Sequence, residues 1–327
     1  MENKSGASLV LIVIVVASVV TVAVWTTPPP PDIRIGYLSK DLHQLALRVA
    51  LQKGWFTEAG LRVETVEFGN GAYEMDGFAA GQIDIGYLGV APALTKSINQ
   101  NINITVLAAA NLEGSAIMVH KGEYDAGRIT SIHDLIGKTV FHPGPSTVQN
   151  FLLRLALNQS GHSIEDLTLE QARPQDMAIS LTPEKPAYVA WEPFPAFGER
   201  DQLAVPLLQS HDIWPNHPCC ILATSSAFAE AHPDIVQKVV DIHKRAEQWI
   251  NENPANATAI AMEWLEADNA TVQTAFNRII YDYNVNKTAI GVYLEFLIDQ
   301  ELVSMDKSDI DSFLDVFINT TYLESPP

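Results

Sequence analysis

Residues 83–99 read IDIGYLGVAPALTKSIN and decide the fold class. The apolar run Ile83–Leu88 predicts a buried strand, and Gly89–Ala91 leads this strand directly into a helix predicted over Ala91–Asn99. A strand that ends in a short turn at a helix N-terminus is half of a parallel βαβ unit. The same order of elements recurs on both sides of this stretch, so the sequence predicts an α/β protein.

Apolar alternation predicts further strands before and after this unit. They are expected at Asp32–Leu38, Leu61–Phe68, Ile104–Ala109, Ala116–His120, Thr139–His142, Pro186–Trp191, Leu203–Pro206 and Cys220–Thr224. From Ser226 to Tyr322 the helical spacing is nearly continuous, which predicts a helical C-terminal region.

Length and charge narrow the class of protein. The chain has 327 residues, enough for about two domains of roughly 150 residues each. Its 20 Lys and Arg against 39 Asp and Glu leave a formal net charge of −19. This balance argues against a nucleic-acid partner and against attachment to anionic lipid, because both need basic residues.

The N-terminus predicts a membrane anchor. A tail of residues 1–6 precedes the uncharged apolar run Ala7–Trp25, which is long enough to span a bilayer as a helix. The Pro-rich residues 26–31 then form a stiff spacer. A cleaved signal peptide is the alternative. Six Asn-x-Ser/Thr triplets support an extracytoplasmic body: Asn103, Asn158, Asn256, Asn269, Asn286 and Asn319.

Signatures of catalysis and of metal binding are weak. The sequence has no P-loop, G-x-S-x-G, H-E-x-x-H or C-x-x-C pattern. The best metal candidate is His211–Cys220 (HDIWPNHPCC), which ends in the only two cysteines, Cys219 and Cys220. Adjacent residues of a strand point to opposite faces, so a disulfide between these cysteines would be strained. Neighbouring cysteines rarely both bind a metal, and Cys220 leads into an apolar strand, where a buried thiol packs as a small apolar residue. We therefore expect no metal and no cofactor.

Small or polar residues form four turns, each of which connects a strand to the N-terminus of a helix. They are Ser39–Gln44, Gly69–Tyr73, Gly89–Ala91 and Pro143–Thr147, with Ser146 as the candidate N-cap of a helix over Ser146–Leu157. In parallel α/β sheets such ends line one crevice, where helix N-termini favour negative charge. The pattern predicts a site for a small anionic or polar ligand.

The order of these segments resembles the nitrate/sulfonate/taurine-type substrate-binding proteins of ABC importers, a family that also includes binders of thiamine pyrimidine precursors. The resemblance rests on LQKGWFTEAGLRVETVEFGNG, FAAGQIDIGYLGVAPAL, DLIGKTVFHPGPSTVQNFLLRLAL and PAYVAWEPFPAF. The resemblance runs from about Ile33 to Asn253. The N-terminal anchor, the spacer and the last 70 residues lie outside it.

The resemblance implies a two-lobed periplasmic-binding-protein type II fold, with a mainly parallel sheet flanked by helices in each lobe. Lobe one is expected to comprise residues 32–113 and 217–327, and lobe two residues 114–216. Ligand contacts carried over from the family fall on Leu42, His43, Gln44, Asn70, Gly71, Ala72, Gly89, Val90, Ala91, Ser146, Thr147, Val148, Trp191 and Glu192.

Two of these residues have an equally simple structural interpretation. Trp191 would line the ligand site or fill the core beside the hinge. Glu192 would meet a ligand amine or cap a neighbouring helix.

The predicted function is an extracytoplasmic receptor that delivers a small solute to an ABC permease and its ATPase, without covalent chemistry. Two alternatives stay open. One is a thiamine-pyrimidine-precursor binding protein or biosynthetic enzyme on the same fold, with His43 and Ser146 as the only nucleophile–base pair to propose. The other is a sensor domain that works without a transporter.

Overall fold

The computed structural model describes residues 30–324. The predicted anchor at residues 7–25, and most of the spacer at 26–31, lie outside these residues. Within the described part, no helix is both long and apolar enough to cross a membrane. Residues 31–324 form one compact unit.

Eleven strands are found among the described residues, and most of them coincide with the predicted runs. The strands are β1 (Ile33–Leu38), β2 (Val63–Phe68), β3 (Ile85–Gly89), β4 (Ile104–Glu113), β5 (Ser115–His120), β6 (Thr139–His142), β7 (Thr168–Gln171), β8 (Ala187–Trp191), β9 (Ala204–Gln209), β10 (Pro218–Ser225) and β11 (Ile279–Ile280).

Sixteen α-helices, several of a single turn, accompany these strands in the described residues. They are α1 (Leu45–Gln52), α2 (Trp55–Glu58), α3 (Gly71–Ala79), α4 (Val90–Gln100), α5 (Lys121–Asp125), α6 (Val148–Gln159), α7 (Pro174–Met177), α8 (Phe194–Arg200), α9 (Ser210–Ile213), α10 (Ser226–Ala231), α11 (Pro233–Glu252), α12 (Pro254–Leu265), α13 (Asn269–Phe276), α14 (Lys287–Asp299), α15 (Ile310–Phe317) and α16 (Thr321–Glu324). The helical C-terminal region is thereby confirmed.

The strands form two sheets. The first has the order β11-β4-β10-β3-β1-β2, and the second has the order β7-β6-β8-β5-β9. The chain passes from the first sheet to the second at Gly114, between β4 and β5. It returns between α9 and β10, where Glu113 N–H donates to the carbonyl oxygen of His217. The two connections between the sheets therefore lie side by side.

The prediction of mainly parallel sheets is wrong, because both sheets are mixed. In the first sheet β1 pairs parallel with β2 and β3, whereas β10 runs antiparallel to both β3 and β4. In the second sheet β5 runs antiparallel to β8 and β9. Parallel pairing needs a crossover, usually a helix, between successive strands. The strands β5 and β10 instead enter from the other sheet without a long helical crossover.

Candidate functional site

A small cavity lies where loops from both sheets meet. The ends of β1, β2 and β3 bring residues of the first sheet to it, and the ends of β6 and β8 bring residues of the second. Its lining consists of Leu38, Asp41, His43, Asn70, Gly71, Gly89, Pro92, Thr147, Val148, Gln149, Trp191, Cys219 and Cys220. None of these described lining residues is a lysine or an arginine.

Three helices begin at this cavity. Asn70 caps α3, with its Oδ1 accepting from the N–H groups of Ala72 and Tyr73 at 3.0 Å each. Thr147 caps α6, with its Oγ1 accepting from the Asn150 N–H at 3.3 Å. Gly89 precedes α4 and gives no side-chain cap. The positive ends of three helix dipoles thus point at one space, which favours a negatively charged or electron-rich ligand.

The prediction that Ser146 caps α6 is wrong by one residue. Ser146 is half-buried and is absent from the described lining of the cavity, whereas Thr147 has the extended backbone and the hydroxyl contact of an N-cap. The pair that an enzyme would need, His43 with Ser146, is therefore not brought together in the lining.

Glycine allows the helix N-termini to approach closely at two positions. A Cβ at Gly71 would lie 2.7 Å from Cγ of Pro92 in α4. A Cβ at Gly89 would lie 3.0 Å from Cγ2 of Val148 in α6. Larger residues at either position would push the three helix ends apart and widen the cavity.

Half of the residues predicted to touch a ligand line the cavity. The residues in the lining are His43, Asn70, Gly71, Gly89, Thr147, Val148 and Trp191. The predicted residues outside it are Leu42, Gln44, Ala72, Val90, Ala91, Ser146 and Glu192.

Gln44 ties the first sheet together instead of facing the cavity. Its Oε1 accepts from the Leu38 N–H at 2.7 Å, and its Nε2 donates to the Tyr87 carbonyl at 2.7 Å. The side chain thus joins the end of β1 to β3 and fixes the loop that carries His43.

Glu192 has a structural role in this arrangement. Its Oε2 accepts from the Ala196 N–H in the first turn of α8 at 3.2 Å. Its Oε1 lies 2.9 Å from NH1 of Arg278, which also pairs with Glu199 at 2.6 Å. The geometry matches the helix-cap interpretation of Glu192, and it adds a half-buried arginine partner that is 86 residues away in sequence.

Trp191 sits on the cavity wall and is 4 % exposed. Its indole Nε1 has no hydrogen-bond partner among residues 30–324. A buried indole N–H usually finds an acceptor. This residue of the cavity lining therefore has a donor left without an acceptor among the described residues.

Sequence reasoning missed six lining residues: Leu38, Asp41, Pro92, Gln149, Cys219 and Cys220. The two cysteines are the most informative. Contrary to the expectation of opposite faces, their Sγ atoms lie 4.0 Å apart, and each lies 3.6 Å from Nδ1 of His43. The register of β10 against β4 shifts on both sides of Cys220, and this bulge turns the adjacent side chains to the same side.

The charges of this cluster are coupled. Burial lowers the pKa of His43, but the Cys219 thiolate, Asp41 and the hydrogen bonds outweigh that effect and raise it to about 9. Burial opposes ionisation of Cys219, yet its contacts with Cys220 and His43 hold its pKa well below the usual range. Burial raises the pKa of Asp41 to about 7, against the attraction of His43. These pKa shifts favour charge separation between the His43 imidazole and the Cys219 thiol.

Below the cavity, α3 buries a carboxyl group against the first sheet. Glu74 is 0 % exposed, and neither carboxyl oxygen has a hydrogen-bond partner among the described residues. A Cβ at Gly36 would lie 2.7 Å from Glu74 Oε1, so the glycine of β1 makes room for this side chain. Burial, followed by the nearby Asp41, raises the pKa of Glu74 well above its ordinary value.

Replacing Glu74 with Gln is expected to change how stability depends on pH. A raised folded-state pKa stabilises the parent protein fully below the ordinary pKa, and this advantage is lost as pH rises towards the folded value. Glu74→Gln has no carboxyl group to ionise at this position. Between the ordinary pKa and the folded-state pKa of Glu74, the free energy of unfolding of the variant should therefore rise relative to that of the parent by about 1.4 kcal/mol per pH unit.

Urea unfolding at several pH values tests this expectation. Glu64→Gln on the exposed side of β2 is the control, and it should stay within about 0.5 kcal/mol of the parent. Parallel pH profiles for Glu74→Gln and the parent would contradict a neutral buried Glu74.

Comparisons with known proteins agree with the fold. The profile of the NMT1-like family matches residues 26–265. A protein of Brucella abortus named as a binding protein is 26% identical over 247 residues, which are 74% of each chain. The taurine-binding periplasmic protein of Escherichia coli is 30% identical over 202 residues, 60% of each chain.

A solved structure shows the same architecture. The periplasmic nitrate-binding protein of Synechocystis superposes with a TM-score of 0.78 at 16% identity, covering 90% of this chain and 89% of the other. The two mixed sheets are thus those of a periplasmic-binding-protein fold. Because the family profile spans most of the chain, this protein belongs to the NMT1-like family.

Proposed function

We propose that this protein is a solute-binding receptor that holds one small anionic or polar molecule in the cavity between its two sheets. The unpaired indole N–H of Trp191 carries the proposal, because it is a buried donor on a wall that three helix N-termini also face. Nitrate, sulfonates and taurine are the solute types to test first, since related proteins carry the names of nitrate, sulfonate and taurine binders.

The proposed receptor consists of two lobes, with residues 32–113 and 217–327 in one and residues 114–216 in the other. Both connections contain residues with positive φ, Gly114 at 84° and Asn216 at 58°. The cavity lining comes from both sides of this division. A solute that contacts both lobes would shift the population towards the closed form.

The proposed partners are the permease and ATPase subunits of an ABC importer, with the body outside the cytoplasm and residues 7–25 as its membrane anchor. The periplasmic relative and the six Asn-x-Ser/Thr triplets support this placement. Tethering would raise the concentration of the loaded receptor near its permease.

Isothermal calorimetry of the purified protein against nitrate, bicarbonate, taurine, alkanesulfonates and pyrimidines tests the proposal. We expect saturable binding of one molecule by at least one member of this panel. A complete absence of heat across the panel, with the protein shown to be folded by circular dichroism, would overturn the proposed function.

Trp191→Phe should weaken binding of the best solute at least about tenfold, or about 1.4 kcal/mol. The substitution keeps an aromatic wall but removes the N–H that is unpaired in the described residues. Trp249→Phe, in α11 where Trp249 packs against Trp55, is the matched control and should bind like the parent. Equal affinities for Trp191→Phe and the parent would assign Trp191 to the core.

A further inference from the structure

A cluster of three ligand-type side chains lines the cavity at the start of β10. The Nδ1 atom of His43 and the Sγ atoms of Cys219 and Cys220 all lie within 4.8 Å of one another. The three residues are between 1 and 4 % exposed. We propose that these three atoms bind one Zn²⁺ ion, whose fourth coordination position opens to the cavity.

The spacing of the three atoms matches a tetrahedral zinc site. Zinc binds sulfur at about 2.3 Å and nitrogen at about 2.0–2.1 Å, which at tetrahedral angles places the sulfur atoms about 3.8 Å apart and nitrogen about 3.5 Å from sulfur. The observed distances are 4.0 Å between the Sγ atoms and 3.6 Å from each Sγ to Nδ1. An ion therefore fits with adjustments of a few tenths of an ångström.

The imidazole of His43 is already oriented for a metal ion. Its Nε2 lies 2.8 Å from the carbonyl oxygen of Gly114, an atom that can only accept a hydrogen bond. Nε2 therefore carries a proton, and Nδ1 is the ring atom that faces the cysteines. Histidine ligands of metals characteristically donate their second N–H to a carbonyl or a carboxylate in this way.

The backbone supports both thiolates. The bulge at Cys220 gives the neighbouring cysteines one common direction, and the Cys220 N–H donates to Asn111 Oδ1 at 3.1 Å, which fixes the bulge to β4. Two thiolates and one neutral imidazole leave a fourth position open on zinc, as in catalytic Cys₂His sites. Thiolate and imidazole donors favour zinc over magnesium or calcium, which prefer oxygen ligands.

The ion would also add positive charge to the cavity lining. None of the described lining residues is a lysine or an arginine, and Asp41 Oδ1 lies 3.5 Å from His43 Nδ1. A bound zinc ion would offset these negative charges and present an open position to an anionic solute. This last step rests on the proposed function, whereas metal binding itself does not.

Titration of the reduced, chelator-treated protein with Co²⁺ and then Zn²⁺ tests the site without any solute. We expect one equivalent of Co²⁺ to produce a thiolate-to-cobalt charge-transfer band and the visible absorption of tetrahedral cobalt, and Zn²⁺ to abolish both. Cys219→Ser, Cys220→Ser and His43→Gln should each weaken zinc binding by roughly 100-fold or more.

The control is His211→Gln, because His211 is 60% exposed in its side chain and pairs with Glu113 outside the cluster. It should bind zinc like the parent. Thermal unfolding of each variant without metal shows whether it has folded, and Cys220→Ala replaces Cys220→Ser if the latter fails.

Three results would overturn the proposal. The first is the absence of a charge-transfer band from protein in which both thiols titrate as free. The second is a charge-transfer band that survives in both serine variants. The third is a disulfide between Cys219 and Cys220 in the purified protein. Calorimetry of the solute panel with metal-free and zinc-loaded protein separates the two proposals. Solute binding without metal binding would contradict only the zinc site. Metal binding without solute binding would contradict only the proposed receptor.

Discussion

Arg278→Ala is expected to lower the free energy of unfolding by about 3–5 kcal/mol, because it leaves a buried carboxylate without its partner. Glu192 is 0 % exposed and lies 2.9 Å from Arg278 NH1. The same NH1 pairs with Glu199 at 2.6 Å. Removing the guanidinium therefore leaves one fully buried and one partly buried carboxylate without a positively charged partner. Guanidinium chloride unfolding at pH 7 measures the loss.

The pH dependence gives a second test of this prediction. Burial already raises the pKa of Glu192, against the attraction of Arg278, and removing the arginine should raise it further. A raised folded-state pKa means that stability falls as pH rises, so the defect of Arg278→Ala should be smaller at pH 5 than at pH 8.

Two variants serve as controls for the ion pair. Glu199→Gln removes the partner whose side chain is 28% exposed, and it should cost less than about 1 kcal/mol. Replacing both Arg278 and Glu192 with Met should restore most of the stability, because neither charge is then left buried. A loss below about 1 kcal/mol for Arg278→Ala would contradict the importance of this pair.

Gly114→Ala is expected to cost about 2–5 kcal/mol, because two effects add at the connection between the sheets. Gly114 has φ of 84°, a conformation that strains any residue with a Cβ. A Cβ there would also overlap Nε2 of His43 and lie 2.7 Å from Cγ1 of Ile279. The clash should displace the imidazole from the two cysteines, in addition to destabilising the fold.

Gly127→Ala is the matched control for this substitution. Gly127 has φ of 68°, and a Cβ added to it would meet nothing within 4 Å. It should therefore show only the backbone strain, about 1–2 kcal/mol. Urea unfolding of both variants isolates the packing contribution, and equal losses would show that the contact with His43 and Ile279 is unimportant.

The strands and long helices could be predicted because their signals are local. Alternation of apolar residues gives β6 with its observed bounds and β1 to within one residue. Strand β7 was missed because its sequence, TLEQ, is mostly exposed and has no apolar face to produce a pattern. The direction of β10 could not be predicted, since it depends on the path of the chain between two sheets.

The difference between local and long-range signals also decides which residues of the candidate site could be predicted from the sequence. Loops after the parallel strands could be located in the sequence, and His43, Asn70 and Thr147 of these loops line the cavity. The sequence predicts packing for the two cysteines, because Cys220 leads into an apolar strand and regular strand geometry points neighbouring side chains to opposite faces. The bulge that unites them arises where β10 pairs with β4, a strand more than 100 residues earlier in the chain. The partner of Glu192 was equally out of reach, because Arg278 lies 86 residues further along the chain.

A crystal structure of the protein saturated with the tightest-binding solute of the panel would show where the solute binds. The receptor account predicts solute density in the cavity, within hydrogen-bonding distance of Trp191 Nε1 and in contact with residues of both sheets, such as Asn70 and Thr147. Density at any other surface, or contacts from one sheet alone, would contradict it.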